Sequence, residues 1–302
     1  HFISENFIFF KSSPKPMSDL TVVTHSGNFH ADDVFSIAVL KHVLPAFNLV
    51  RTRDKAVIES ADIVVDVGGE YNPDTGRFDH HQRGGAGERE NGTPYSSFGL
   101  IWKKYGLALC DNNQAVADRV DAGLVSTIDA IDCGYVKGVV EGITLSQTLS
   151  MFNPTWEEEG NFDECFDEAV EFAARLLTRF IASAKGSINA KDIVAKAIKE
   201  AKDPRVIILE KYTPWKKTVH HLSSDALFMV YPSQNGQWII QTVPVEPGSF
   251  EDRKSLPKAW AGLSDEEFQA ETGLDDAVFC HNGLFIAGTK SFESTMKLAD
   301  VA

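Results

Sequence analysis

Cysteine is scarce in this chain: Cys110, Cys133, Cys165 and Cys280 are the only four in 302 residues, and no two form a CxxC pair. That spacing excludes a zinc ribbon and a disulfide framework, and it leads us to expect reduced thiols inside the cell, in cytoplasm or nucleus with the mitochondrion as an alternative. Positive charge is thin as well. Lys and Arg number 29 against 43 Asp and Glu, a net charge of −14, which argues against a protein that coats nucleic acid through backbone charge alone. A phosphate-bearing substrate stays open, because bound divalent cations bring local positive charge whatever the surface carries. No apolar run nears the roughly 20 residues that span a bilayer, so no membrane partner is expected. The segment HFISENFIFFKSSPKP contains no arginine and does contain a glutamate, a poor transit peptide. Residues 1–16 are expected to be an N-terminal extension, native or added, ahead of a start at Met17.

What is there is an alternation. LTVVT (Leu20–Thr24) is a β-branched run that stops at polar residues, and ADDVFSIAVLKHVL (Ala31–Leu44) places apolar residues at helical spacing. SADIVVDVGG (Ser60–Gly69) reads as a buried strand ended by paired glycines, while SSFGLIWKKYG (Ser96–Gly106) and VADRVDAGLVSTIDAID (Val116–Asp132) read as helices. Strands alternating with helices imply an α/β fold, a mostly parallel sheet flanked by helices. Phe162 to Lys202 reads as helix with an interruption near Gly186. RVIILEKY, ALFMVYP and QWIIQTVPV then read as strands, with QNGQ (Gln234–Gln237) as a hairpin turn. The expected organisation is an α/β domain over residues 17–203, including a helical linker, and a smaller α+β domain over 204–302.

Histidine is used sparingly, nine in all, yet two stand side by side in TGRFDHHQRGG (Thr75–Gly85). Adjacent side chains on a strand point to opposite faces. At a strand end that turns into a glycine-rich loop, Asp79, His80, His81 and Arg83 can converge on one small charged object. Three further clusters share this composition: His25, His30, Asp32 and Asp33 in THSGNFHADD, Asp66 in DIVVDVGG, and Asp129 and Asp132 in DAID. Ligands of an open α/β sheet gather at the carboxyl ends of its strands, so the inferred topology sets all four clusters on one rim. Asp32 or Asp33 could equally cap the helix that follows, and Asp129 and Asp132 could form a solvated acidic turn. Asp66 is harder to explain otherwise, since a lone buried carboxylate is costly unless paired or metal-bound. Imidazole mixed with carboxylate suits Mn²⁺, Fe²⁺ or Zn²⁺. About three His and three Asp exceed the needs of one tetrahedral ion and fit two ions about 3.5–4 Å apart, the arrangement that serves phosphate-ester hydrolysis.

In the order HSGNFHADD, DIVVDVGG, FDHHQR, DAID, the clusters resemble the motif series of the DHH phosphoesterase superfamily. More narrowly, THSGNFHADDVFS, YSSFGLIW, MFNPTW, FEDRKSLPKAWAGL and FCHNGLFIAGTKS resemble the melanocyte-proliferating-gene-type exonucleases, also called metal-dependent protein hydrolases, over nearly the whole chain from Met17. The resemblance implies a DHH-like catalytic domain with two divalent ions, Mn²⁺ favoured and Mg²⁺ or another ion as alternatives. Carried over residue by residue, His25 and Asp32 hold one ion, His30 holds the other, and Asp66 bridges them. His80 and Asp129 complete the second ion's shell, with Asp132 as the alternative to Asp129. His81 contacts substrate phosphate and Asp79 orients the histidines. The sequence departs from the superfamily at His30, where aspartate is usual, and the spacing from His25 is one residue longer, which leaves the partition of ligands open.

The second domain resembles the substrate-gripping domain of that superfamily. Arg253, Lys254 and Lys258 crowd EDRKSLPKAW, and an arginine fork matches phosphate oxygens; a solvated basic turn is the alternative. HNGLFIAGTKS adds His281, Gly283, Gly288 and Lys290, whose glycines would let backbone amides approach an anion. The expected function is a divalent-metal-dependent phosphodiesterase, an exonuclease trimming RNA from one end. A small-molecule phosphoesterase or pyrophosphatase is the alternative enzyme, and a non-catalytic binding module the alternative of another class. Trp156, Trp215 and Trp260 are the candidates for the base stacking that would favour a polymer.

Overall fold

Two short β-branched runs, TVVT and IVV, organise the first sheet. In the computed structural model, which describes residues 20–44, 46–136 and 142–302, they form β1 (Thr21–Thr24) and β3 (Ile63–Val65). The extension expected at residues 1–16 and the start at Met17 lie outside the described residues. Val22 and Val23 point to opposite faces and both are fully buried, so this sheet is covered on both sides, as parallel sheets are.

From β1 the chain passes through α1 (Ala31–Val43), β2 (Asn48–Arg51) and α2 (Lys55–Ser60) to β3, then through the small strands β4 (Tyr71–Asn72) and β5 (Arg77–Phe78). The strand order is β2-β1-β3-β5-β4. Every pair is parallel except β4 with β5. The chain leaves β1 toward β2 on one side and returns to β3 on the other, so the order reverses between β1 and β3. Such a switch point opens a crevice at the carboxyl ends of the two strands. Helices α3 (Ser97–Leu109), α4 (Gln114–Val120), α5 (Ser126–Asp132) and α6 (Leu145–Ser150) follow, with a π turn at Asp121–Val125 between α4 and α5. Helices α1 and α3 pack through stacked rings, Phe35 on Phe98 at 5.0 Å, and through Ser36 and Ser97, whose hydroxyl oxygens are 3.3 Å apart.

Helix α7 (Phe162–Glu200) runs unbroken through Gly186, where the sequence suggested an interruption. A single interior glycine costs only about 1 kcal/mol relative to alanine, which the apolar positions on either side of it outweigh. The chain divides into two compact units between Lys185 and Gly186. Phe166, Val170 and Leu177 are buried before that division, and Val194 joins a core cluster of the second unit after it.

The second unit contains β6 (Val206–Ile208), α8 (Lys216–Leu222), β7 (Phe228–Pro232), β8 (Trp238–Thr242), α9 (Asp265–Thr272), β9 (Ala277–Cys280), β10 (Ile286–Thr289) and α10 (Phe292–Val301). Its strand order is β6-β7-β8-β10-β9. Strands β6 and β7 pair in parallel and the rest antiparallel. The hairpin between β7 and β8 turns at Asn235-Gly236, with Gly236 at φ +83°, a left-handed conformation that glycine adopts without cost. Trp215 and Trp260 are core residues, 1% and 4% exposed, whereas Trp156 is 91% exposed; only the last has a face free to stack. The chain is thus mixed α/β. Among the described residues no helix is long and apolar enough to cross a membrane.

Candidate metal centre

The switch point sets His25, the residue after β1, against Asp66, the residue after β3. The His25 Nε2 atom lies 3.3 Å from Asp66 Oδ2 and 3.2 Å from Asp33 Oδ2. Asp66 adopts φ 56°, a left-handed backbone that costs a residue with a β carbon about 1–2 kcal/mol. Its amide donates to Phe78 O at 3.1 Å, so β5 holds this bend in place. From the β5 side, His80 Nε2 stands 3.2 Å from the other oxygen, Asp66 Oδ1. The two oxygens of one carboxylate therefore face two different histidines.

Asp79 sets the histidine pair. Its Oδ1 accepts from His80 N at 2.8 Å, His81 N at 3.2 Å and the His81 ring Nδ1 at 2.8 Å, and its Oδ2 accepts from Gly69 N. With the turn fixed, the His80 ring goes inward, where its Nδ1 meets Cys133 Sγ at 3.7 Å. The His81 side chain stays 62% exposed at the rim.

Helix α1 contributes two carboxylates with different uses. Asp33 Oδ1 accepts from His30 N at 2.9 Å and so closes the helix N-terminus, while its other oxygen faces His25. Asp32 turns toward α3 instead: its Oδ2 accepts from Ser97 Oγ at 2.8 Å and lies 3.7 Å from His80 Nε2. At the end of α5, Asp132 Oδ2 stands 3.3 Å from His80 Nε2. Asp129, one turn earlier, is used elsewhere. Its Oδ1 accepts from Ser96 Oγ at 2.6 Å and Gly99 N at 3.0 Å, and its Oδ2 pairs with Arg89 Nη1 at 2.8 Å. A β carbon at position 99 would collide with that carboxylate.

Ligand-capable atoms within 4.8 Å of one another fall into overlapping sets: His25, His30 and Asp66; Asp66, His80 and His81; His30, Asp32 and Asp132; His80, Asp132 and Cys133. This grouping differs from the partition implied by the resemblance in two places. His25 is grouped with His30 and Asp66, away from Asp32, because successive positions at the start of α1 aim their carboxylates at different neighbours. Asp132 joins these sets and Asp129 does not; the Asp129 carboxylate is engaged by Ser96, Gly99 and the Arg89 guanidinium.

The donor set suits divalent cations. Asp32 Oδ1, Asp33 Oδ2, Asp66 Oδ1 and His80 Nε2 are buried without an aligned hydrogen-bond partner, a costly state for polar atoms unless a cation completes them. Burial alone lowers the His25 imidazole, but Asp33 and Asp66 outweigh it and lift it to about 10. Burial likewise opposes the charged form of His80, which Asp66 and Cys133 raise to about 11. Burial pushes the Asp66 carboxyl up, yet the same two histidines hold it at about 2. Burial raises Asp32 well above the usual carboxylate range, and the charge of Asp66 adds to that.

A cleft of about 340 Å³ opens at this rim, lined among others by His25, His30, Asp66, His81 and Arg53. The sequence reading passed over Arg53. Arg83, singled out there, is exposed and does not line the cleft. In the second unit, Arg253 Nη1 donates to the carbonyls of Ser223, Ser224 and Ala226 at 2.7, 3.2 and 3.0 Å. It thereby holds the loop that leaves α8, from the C-cap Ser223 to Ala226. Lys254 is exposed. His281 Nδ1 accepts from Gly283 N at 2.9 Å, so that amide is spent inside its own turn, and a β carbon at Gly288 would strike the Phe279 ring. The glycines expected to admit an anion serve turn and packing. Replacing Arg253 with alanine should accordingly lower stability by about 1.5–3 kcal/mol, the range for hydrogen bonds to a charged group, with metal content unchanged. Urea unfolding alongside elemental analysis checks both halves.

Comparison with known proteins gives the family of the chain. Residues 21–302 match the family model described as an uncharacterised protein family, UPF0160. The chain is 33% identical to the MYG1 protein of Saccharomyces cerevisiae, covering 93% of this chain and 95% of that protein. It is 33% identical to the MYG1 exonuclease of Homo sapiens, over 96% and 87% of the two chains, and 30% identical to the MYG1 protein of Dictyostelium discoideum, over 94% and 96%. No solved structure matches it.

Proposed function

As the chain belongs to the UPF0160 family that includes MYG1 proteins, we propose that it is a divalent-metal-dependent exonuclease with a DHH-like catalytic unit, removing nucleotides from one end of RNA. The observation that carries this reading is Asp66, whose two oxygens face His25 and His80 at 3.3 and 3.2 Å. A carboxylate shared by two cations would take this posture; a mixed His and Asp set suits Mn²⁺, Fe²⁺ or Zn²⁺, and the family resemblance favours Mn²⁺. His25, His30 and Asp66 would hold one ion, and Asp32, Asp66, His80 and Asp132 the other. When bound, such a pair supplies an activated water and stabilises the charge of an in-line displacement at phosphorus.

The chain's own residues set the rest. Asp79 accepts the His81 Nδ1–H, so an imidazolium at this exposed position would donate its Nε2–H to a phosphate oxygen of the substrate. The cleft at this rim is of the size that holds one small ligand, which suits a terminal nucleotide and a small phosphate ester alike. The two readings separate on substrate. With Mn²⁺, an end-labelled RNA oligomer should be shortened one nucleotide at a time, and EDTA should stop it. Cleavage of pyrophosphate in place of the oligomer would select the small-molecule reading, and hydrolysis that survives EDTA would end the metal reading.

The adjacent histidines should separate by role. His80→Ala should lower metal occupancy and activity together. His81→Ala should keep wild-type metal content and lose about 10²–10⁴ in turnover, the usual range for a group acting on protons or charge at the reacting centre. Equal metal loss in both variants would show that their roles are misassigned.

A further inference from the structure

Most of the cleft wall is histidine, carboxylate and glycine, and it contains one guanidinium. Arg53 follows β2, whose register against β1 pairs Thr24 with Arg51. Thr52 N then donates to Thr24 O at 2.8 Å, which carries the residues just past the strand to the rim occupied by His25. Arg53 lines the cleft with His25, His30, Asp66 and His81, and no other Lys or Arg lines it among the described residues. Arg53 makes no side-chain hydrogen bond or ion pair among the described residues, in contrast to Arg51 two positions earlier. Arg51 donates to Gly27 O, Phe162 O and Asp163 Oδ1 at 2.6, 3.1 and 2.8 Å and lies over the Phe166 ring at 4.4 Å. One arginine is built into the fold, and the other reaches the cleft uncommitted.

We propose that Arg53 binds the phosphoryl group of the substrate's terminal nucleotide. A planar fork of N–H donors matches two unesterified phosphate oxygens, and Arg makes such paired bonds more specifically than Lys. Arg53 and His81 then hold one phosphate between them at the metal-facing rim. A cleft with a single arginine neutralises a single phosphate, so recognition is local to the chain end. This rests on the hydrolytic reading of the same cleft.

The test is competition binding of a nucleoside monophosphate and of the matching nucleoside to the Mn²⁺-loaded full chain, in wild type, Arg53→Ala and Arg53→Lys. Wild type should bind the monophosphate and not the nucleoside. Arg53→Ala should weaken monophosphate binding by about 10–100-fold, the loss expected for a charge-assisted hydrogen-bond pair, with melting temperature and metal content unchanged. Arg53→Lys should restore part of it. On an oligomer, Arg53→Ala should raise KM more than it lowers kcat and flatten the dependence of log KM on log salt by about 0.7, one phosphate contact on a single strand. Equal monophosphate affinity in wild type and Arg53→Ala overturns the proposal, and if EDTA-sensitive trimming persists the nuclease reading survives it. An Arg53-dependent monophosphate site without any hydrolysis supports the phosphate assignment and sinks the nuclease reading instead.

Discussion

Replacing Asp66 with asparagine should remove metal binding and hydrolysis together. Asparagine keeps the shape of the side chain and tolerates the left-handed backbone at φ 56°, so the fold should persist. It lacks the second anionic oxygen that would let one residue serve two ions. Metals contribute several kcal/mol of charge stabilisation to phosphoryl displacement, and each 1.36 kcal/mol is tenfold in rate, so kcat/KM should fall by about 10³-fold or more. A second readout is independent of turnover. At a hundredfold excess of Mn²⁺ over its Kd, wild type should gain about 2.7 kcal/mol in stability by mass action, and Asp66→Asn should gain almost none. Wild-type metal stoichiometry in this variant would rule out a shared carboxylate.

The second large effect lies beside the metal cluster. Arg89 forks onto Asp121 at 2.9 and 2.7 Å and reaches Asp129 at 2.8 Å, and Tyr95 stacks on its guanidinium at 4.4 Å. Burial raises the Asp129 carboxyl to about 6, with Ser96 and Arg89 restraining it. Arg89→Met should cost about 3–5 kcal/mol, the usual penalty for leaving one member of a buried pair uncompensated. The double variant Arg89→Met/Asp129→Asn should recover much of that loss. The sign of the pH dependence is fixed by the raised folded pKa. Without Arg89 the Asp129 carboxyl moves higher still, so the variant's deficit should be largest above pH 6, where wild type holds the charged form, and should shrink toward pH 4. Urea titrations of the three proteins at both pH values measure this, and a single-variant loss under 1 kcal/mol would show that the pair contributes little.

How much of this was readable in advance divides along physical lines. The gathering of His25, Asp66 and His80 could be read because strand ends leave a mark in sequence, a β-branched run broken by glycine, and the topology rule places such ends together. The choice between Asp129 and Asp132 could not. They stand three apart on one helix face, and what separates them is Arg89, some forty residues upstream in a loop. Asp32 and Asp33 pose the same problem at consecutive helix positions, where only the neighbours, Ser97 for one and His25 for the other, fix the direction. Arg53 was invisible because NLVR is too short and too mixed to read as a strand, so nothing marked it as lying at a strand end. The partners of Arg253 could not be read, because they are backbone carbonyls 27–30 positions earlier, and a carbonyl has no letter in a sequence.

Gly99 has a consequence for how variants of this protein are interpreted. It touches no ligand atom of the cleft, yet it lies against Asp129 with no room for a methyl group. Any side chain there must displace the Asp129 carboxylate and the Tyr95 ring, and Asp129 stands one turn before Asp132 on α5. In a saturation screen scored by activity, position 99 would rank with the histidines and aspartates as intolerant. Its intolerance would come from the space taken by the buried Asp129 carboxylate, so a catalytic map drawn from such a screen should be filtered by metal content before any residue on it is assigned chemistry.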